Sequence, residues 1–261
     1  MTKYYYIGTI LPSLSFEVEP EISLIEFDRL LRDNLTQSDY RKTSALRRIY
    51  DTLNLRAFWL GEELDPWGNY NAVELEEAIV SQQGLPDSIY EFLEAHEKKD
   101  DRLRYFPSLL AQAFREEIEN HPKGFIHDYL SFEREWRLVF TGFRAKKLGR
   151  DLSVELQYEN PEEELIAQML AQKDAKTFEP PEKYQALKAI FDRYADEPLE
   201  LERALDEYRF NYIDSLIELS DSFSMDRILA YMSQLIILQK WFALDKEKGL
   251  KIVDIIVKEI S

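Results

Sequence analysis

The run from Ile228 to Leu244, Ile-Leu-Ala-Tyr-Met-Ser-Gln-Leu-Ile-Ile-Leu-Gln-Lys-Trp-Phe-Ala-Leu, is apolar on nearly every helical face. A helix of that kind has to be enclosed by other elements and cannot lie on a surface. It carries Ser233, Gln234, Gln239 and Lys240, and it falls short of the ~20 apolar residues needed to span a bilayer. With 45% hydrophobic and 13% aromatic residues among 261, the chain has the material for a sizeable core around it. Eight glycines and ten prolines are too few for the many tight turns of an all-β sandwich or barrel. The expected fold class is therefore all-α and multi-helix, a single helical body over residues 1–261.

Helix starts are legible throughout. Ser23 with Glu26 three residues later forms a capping box, opening a helix with Leu24, Phe27, Leu30 and Leu31 on one stripe. Ser38 is the expected cap of a second helix, which carries Leu46, Ile49, Tyr50 and Leu53 inward and ends near Gly61. Asn71 with Glu74 opens a third through Gln83, Ser88 with Glu91 a short fourth, and a fifth covers Asp101–Asn120. Phe125, Tyr129, Phe132, Trp136, Val139 and Phe143 step by three or four, a period that predicts one long helix over 125–148, stopped by Gly149. Pro161, Pro181 and Pro198 each mark the first turn of a further helix, where the missing N–H costs nothing. Ser224 caps the enclosed helix, and an amphipathic set with Leu250, Val253, Ile256 and Val257 follows over Lys246–Ile260.

Two places interrupt the pattern. Leu152, Val154, Leu156 and Tyr158 alternate with polar residues, which admits a short strand at 152–158 without an evident partner. The weakest joints are 65–69 and 176–181. The second is the better hinge candidate and sets a sub-boundary near 174–181, separating residues 1–175 from 181–261.

Charge narrows the function classes. Thirty-three basic and fifty acidic residues give a formal charge of −17, a field that repels nucleic-acid phosphates and anionic lipid headgroups and favours basic partners. There is no cysteine, so disulfides, thiolate metal sites and cysteine nucleophiles are excluded. The opening segment meets Pro12 too soon to be a signal peptide, and a cytoplasmic location is expected.

The chemistry-bearing motifs are missing. The glycines form no phosphate-cradling loop. His96, His121 and His127 stand at no Glu-x-x-His or His-x-x-x-His spacing. The stretch Asp65–Glu76 has the length of a calcium loop, but Trp67 and Tyr70 occupy positions that need a ligand and a glycine. The acidic runs 116–119, 162–165 and 199–202 read as solvated helix faces. No Gly-x-Ser-x-Gly elbow is present. The expectation is a protein that is not an enzyme, with no catalytic residue, no cofactor and no metal site. Tyr4, Tyr5 and Tyr6 cannot all face one way, so at least one is exposed. These tyrosines, with Trp59, Trp67, Trp136 and Phe140, serve either core packing or a partner-binding patch; the partner-binding residues themselves are unknown from sequence.

The opening Tyr4–Phe16, followed by Glu21–Leu31, resembles a bacterial family encoded within V-type ATPase operons of chlamydiae, spirochaetes and Bacteroidetes-like bacteria. Its members stand where the gene for the C-type subunit of V/A-type ATPases (the counterpart of the eukaryotic d-type protein) would be expected. The late stretch Phe223–Trp241 resembles the end of that C-type subunit itself. Together these cover roughly a fifth of the chain. The resemblance implies an all-helical adaptor of pseudo-threefold helical lobes that seats the central rotor stalk on the membrane rotor ring and does no chemistry. It implies a location peripheral to the inner membrane through protein contacts only, in support of proton or sodium ion transport. The middle of the chain, Asn71–Arg150, does not align with the C-type subunit, and the chain is shorter. A stand-alone helical assembly factor or regulator, binding a basic protein partner, has the same composition.

Overall fold

The capping patterns become helices largely where the sequence places them. The computed structural model describes the backbone of residues 3–260 and the side chains of residues 3–244. Among the described residues the fold is all-α: α1 (Tyr5–Ile10), α2 (Leu24–Asn34), α3 (Gln37–Leu60), α4 (Ala72–Ser81), α5 (Asp87–Ala95), α6 (Lys99–Asn120), α7 (Phe125–Lys147), α8 (Leu152–Glu155), α9 (Glu164–Leu170), a 3-10 turn (Glu182–Tyr184), α10 (Gln185–Tyr194), α11 (Pro198–Leu216) and α12 (Met225–Ile260). The only extended pairing among them is an isolated bridge between Ser15 and Val18. Ser23–Glu26 and Asn71–Glu74 both close complete capping boxes. Pro198 stands at the first turn of α11.

Several local expectations are corrected. Thr36 takes the cap of α3 instead of Ser38: its Oγ1 accepts the Asp39 N–H at 3.2 Å. Ser88 lies inside α5, behind Pro86, and its hydroxyl donates to Glu116 Oε2 at 2.6 Å. Asn160 forms a turn with the Glu162 N–H, so the helix after Pro161 starts later, with Glu163 at its N-cap. Residues 152–155 are helical, not extended, because Asp151 caps them through the Ser153 N–H. The enclosed run and the segment after it form one helix, α12, in which Leu229, Ala230, Met232, Leu235, Ile237 and Leu238 are essentially inaccessible to solvent. The inward faces expected for Leu250, Val253, Ile256 and Val257 lie outside the described side chains.

The helices fall into two compact units. The first unit combines residues 1–43 with 196–261. In it α12 packs on α11 and α2, and α1 on α2, around Ile7, Phe27, Leu31, Ile213 and the apolar run of α12. The second unit, residues 44–195, has α6 packed on α5 and α7, while α7 carries α8, α9 and α10. Its first core gathers Leu55, Trp59, Leu75, Ile89, Phe92, Phe106 and Leu109. A second, aromatic core stacks Phe140, Phe143, Phe178 and Phe191, with Phe143–Phe191 at 5.2 Å and Phe143–Phe178 at 5.2 Å.

The segment expected as a hinge, 176–181, is internal to the second unit. Gln172 clasps Glu179 in both directions at 2.9 Å, Lys146 Nζ donates to the carbonyls of Gln172 and Lys173, and Phe178 is buried. The composition there signals a turn, but its backbone groups have fixed partners.

Candidate functional site

In the first unit the N-terminal arm lies across the α11–α12 pair and encloses a cleft. The arm is fastened at several points. The Tyr4 N–H donates to the Phe223 carbonyl at 2.9 Å, Lys3 Nζ meets Asp221 Oδ2 at 2.7 Å, and Tyr4 Oη donates to Asp39 Oδ2 at 2.5 Å. The Tyr5 ring sits 4.7 Å from that of Phe223. Gly8 lies beneath the same ring, where a Cβ would come within 2.7 Å of it. Further along, Phe16 packs 6.0 Å from both Phe210 and Trp241, and Gln239 Nε2 reaches the Ile22 carbonyl at 3.2 Å.

Between these fastenings the cleft has a volume of about 490 Å³, within the range that holds small ligands or partner side chains. Leu11, Leu14, Ile217, Phe223 and Ile228 supply apolar walls. Polar side chains line it as well, among them Asp214, Arg227, Tyr231 and Gln234. Gln234 Nε2 donates to Asp214 Oδ1 at 2.8 Å and to the Phe210 carbonyl at 3.2 Å. The Arg227 guanidinium is drawn aside by the carbonyls of Ile217 and Ser220 at 3.2–3.3 Å. The Tyr231 hydroxyl is buried without a hydrogen-bond partner. Burial first, then the charge of Glu21, pushes its ionisation up to about 12, so it is a neutral hydroxyl able to donate or accept. No pair in the cleft has the nucleophile–base geometry of covalent catalysis.

Of the residues singled out in the sequence, Tyr4 lines the cleft, and the tryptophans and histidines lie elsewhere. Tyr4 is buried, whereas Tyr5 and Tyr6 are 57% and 61% exposed. Trp59 and Trp67 are both buried, Trp59 against Phe92 and Phe106. Trp136 meets Phe140 edge-on at 6.4 Å. His96 stacks on Tyr105, His121 bonds the Glu117 carbonyl and His127 bonds Asp128. No cluster of three or more His, Asp or Glu positioned for a metal occurs among the described residues.

The acidic runs need a correction. Glu117, expected on a solvated face, is 4% exposed and takes both oxygens to Arg48 Nη1 at 2.8 and 2.9 Å. Glu163 and Glu159 both engage Arg134, the former at 2.6 Å. The rejected calcium loop has another organiser, Asp51 on α3. Its carboxylate accepts the Asn69 N–H at 2.5 Å, the Tyr70 N–H at 3.3 Å and Asn69 Nδ2 at 2.7 Å. Asn54 pairs with Asp65 in both directions and Arg47 donates to the carbonyls of Trp67 and Gly68. Burial drives the Asp51 pKa up to about 6 against these donors. The joint at 65–69 is thus tied to one helix.

The cleft itself was invisible to sequence reading. It joins residues 4–14 to residues 210–234, and no local spacing signals such a meeting.

Among the described residues the fold is all-α, and the first unit carries the cleft beneath the N-terminal arm. The family described as "Protein of unknown function (DUF2764)" matches residues 1–260, and the chain belongs to it. An uncharacterized protein of Chlamydia pneumoniae is 32% identical over 268 residues, with 100% of each chain covered. Similar proteins of Chlamydia muridarum and Chlamydia trachomatis are 25% and 26% identical, covering 100% and 96% of each chain. No solved structure matches. Among the described residues no helix is long and apolar enough to cross a membrane.

Proposed function

We propose that this chain is a non-catalytic adaptor of a V-type ATPase or ATP synthase, linking the central rotor stalk to the membrane ring and so supporting proton or sodium ion transport. The observation that carries the reading is the use made of buried charge. Arg48 of α3 ties to Glu117 of α6, Arg134 of α7 ties to Glu159 and Glu163, and Asp51 holds the 69–70 backbone. Buried ion pairs return little net stability because desolvation offsets their attraction. Their effect here is to fix helix on helix at Arg48–Glu117 and loop on helix at Arg134 and Asp51, and that is what a body transmitting torque requires.

The assignment to the rotary ATPase rests on the resemblance of residues 4–16, 21–31 and 223–241 to operon-encoded proteins and to the C-type subunit. A charge of −17 supports docking on basic faces of the stalk or ring loops, with salt-sensitive assembly. The test is to tag the chain in its native host, solubilise the membranes in mild detergent and quantify what stays with the intact ATPase. One copy per complex at low salt, released as salt rises, is the expected result. Association with unassembled subunits only would make the chain an assembly factor or regulator. Absence from both removes the ATPase from its function.

A further inference from the structure

The cleft of the first unit has unspent recognition capacity, and its chemistry specifies an occupant. Asp214 commits Oδ1 to Gln234, leaving Oδ2 with no donor among the described residues. Arg227, the cation in the lining, already serves two backbone carbonyls. Exposed Glu17, Glu19 and Glu21 follow the arm that forms one wall, and Glu21 is close enough to Tyr231 for its charge to act on the hydroxyl. The free charge around the cleft is therefore negative. Exposed apolar side chains neighbour the lining: Tyr5 is 57% exposed beside Phe223, and Leu219, two residues along the chain from the lining Ile217, is fully exposed.

We propose that this cleft docks an amphipathic segment of a protein partner, apolar side chains against Leu11, Ile217, Phe223 and Leu219 and a lysine or arginine at Asp214 and Glu21. The inference rests on the adaptor reading and names the chemistry of the partner at one place. Exposed apolar side chains next to the lining suit a polypeptide better than a compact small molecule, whose contacts end within its pocket. A second copy of this chain brings another −17 to the same surface and is disfavoured by like-charge repulsion. An anionic ligand meets the same field. A basic end finds the carboxylates.

The full chain, immobilised, is to be panned against a random peptide phage library, and a synthetic consensus peptide measured by fluorescence anisotropy. The expected consensus places Lys or Arg among apolar residues, and its binding weakens as salt rises. Asp214→Lys and Glu21→Lys each weaken it by roughly tenfold or more, since charge reversal at a docking contact acts on affinity directly. Leu219→Ser weakens it through the lost apolar contact. Asp128→Lys, a change of the same charge at an exposed site in the second unit, leaves it unchanged. Thermal midpoints of all variants report folding, and Glu21 and Leu219 are surface residues whose replacement leaves the core intact. A consensus without basic residues, no enrichment at all, or equal affinities for Asp214→Lys, Glu21→Lys and Asp128→Lys overturns the proposal. These outcomes are read on the purified chain, so they are independent of whether it stays with the ATPase in membranes.

Discussion

Gly142, in the middle of α7, gives the most discriminating test of the packing. In an unconstrained helix Gly→Ala gains about 1 kcal/mol from propensity. At this position the new Cβ would sit 2.7, 2.8 and 3.1 Å from three ring atoms of Phe178. That ring is 3% exposed, is flanked by Phe143 and belongs to the segment clasped through Gln172 and Glu179. Forcing extra volume into a filled core costs about 1–3 kcal/mol, so clash outweighs propensity. Gly142→Ala should destabilise the second unit by about 1 kcal/mol, and Gly142→Val by more. Phe178→Leu alone should cost about 1–2 kcal/mol from lost volume. In combination with Gly142→Ala it should cost less, because the leucine makes room for the methyl, with a coupling of at least about 0.5 kcal/mol. Urea unfolding followed by far-UV circular dichroism measures all four corners of the cycle, and a loss of about 1 kcal/mol lowers the melting temperature by roughly 2–4 °C. A stabilising Gly142→Ala, or strict additivity with Phe178→Leu, refutes the account of this core.

The Arg48–Glu117 pair should respond asymmetrically. The Arg48 side chain is 39% exposed and that of Glu117 5%, so Arg48→Ala strands a buried carboxylate, whereas Glu117→Gln leaves a guanidinium that water can reach. Denaturation midpoints should show about 2–3 kcal/mol lost in the first and about 1 kcal/mol in the second; equal losses would mean the carboxylate finds water or another donor. Asp51 predicts a pH signature. Burial raises its folded-state pKa from 3.8 to about 6, so the folded state binds the extra proton between these values. The carboxylate thus costs stability that is fully felt above the folded value and absent below the unfolded one, up to about 3 kcal/mol. Relative to Asp51→Asn, the wild type should become steadily more stable from about pH 7 to about pH 4 in urea titrations. A difference that stays flat or moves the other way contradicts a desolvated carboxylate at this site.

What was legible in the sequence was local. The boxes Ser23–Glu26 and Asn71–Glu74 involve groups three residues apart, and the stripe from Phe125 to Phe143 repeats at the helical period; neither needs tertiary knowledge. Enclosure of the run from Ile228 was equally plain, and it holds through Leu238 and Trp241, while Leu244 at its end is 38% exposed. Two of the misreadings involve a polar side chain whose partner is remote in sequence. Ser88 looks like a cap until Glu116 is beside it, and Glu117 looks solvated until Arg48 arrives from 69 positions upstream. Alternation at 152–158 imitated a strand because Asp151, a single capping residue, decides the matter. At 176–181 composition marks where the chain turns, while Gln172 and Lys146 supply partners for its flanking backbone groups. The cleft lay furthest from view, being assembled from the two extremes of the chain.

That last arrangement has a consequence for biosynthesis. Residues 44–195 are contiguous and hold their own apolar centre, so they can collapse as soon as they leave the ribosome. The arm and α2 are made first yet find their packing surface only when α11 and α12 emerge. Until then the arm stands without a seat. Nascent chains stalled before residue 196 should therefore present the N-terminal tyrosines to proteases, and chains stalled after completion should hide Tyr4.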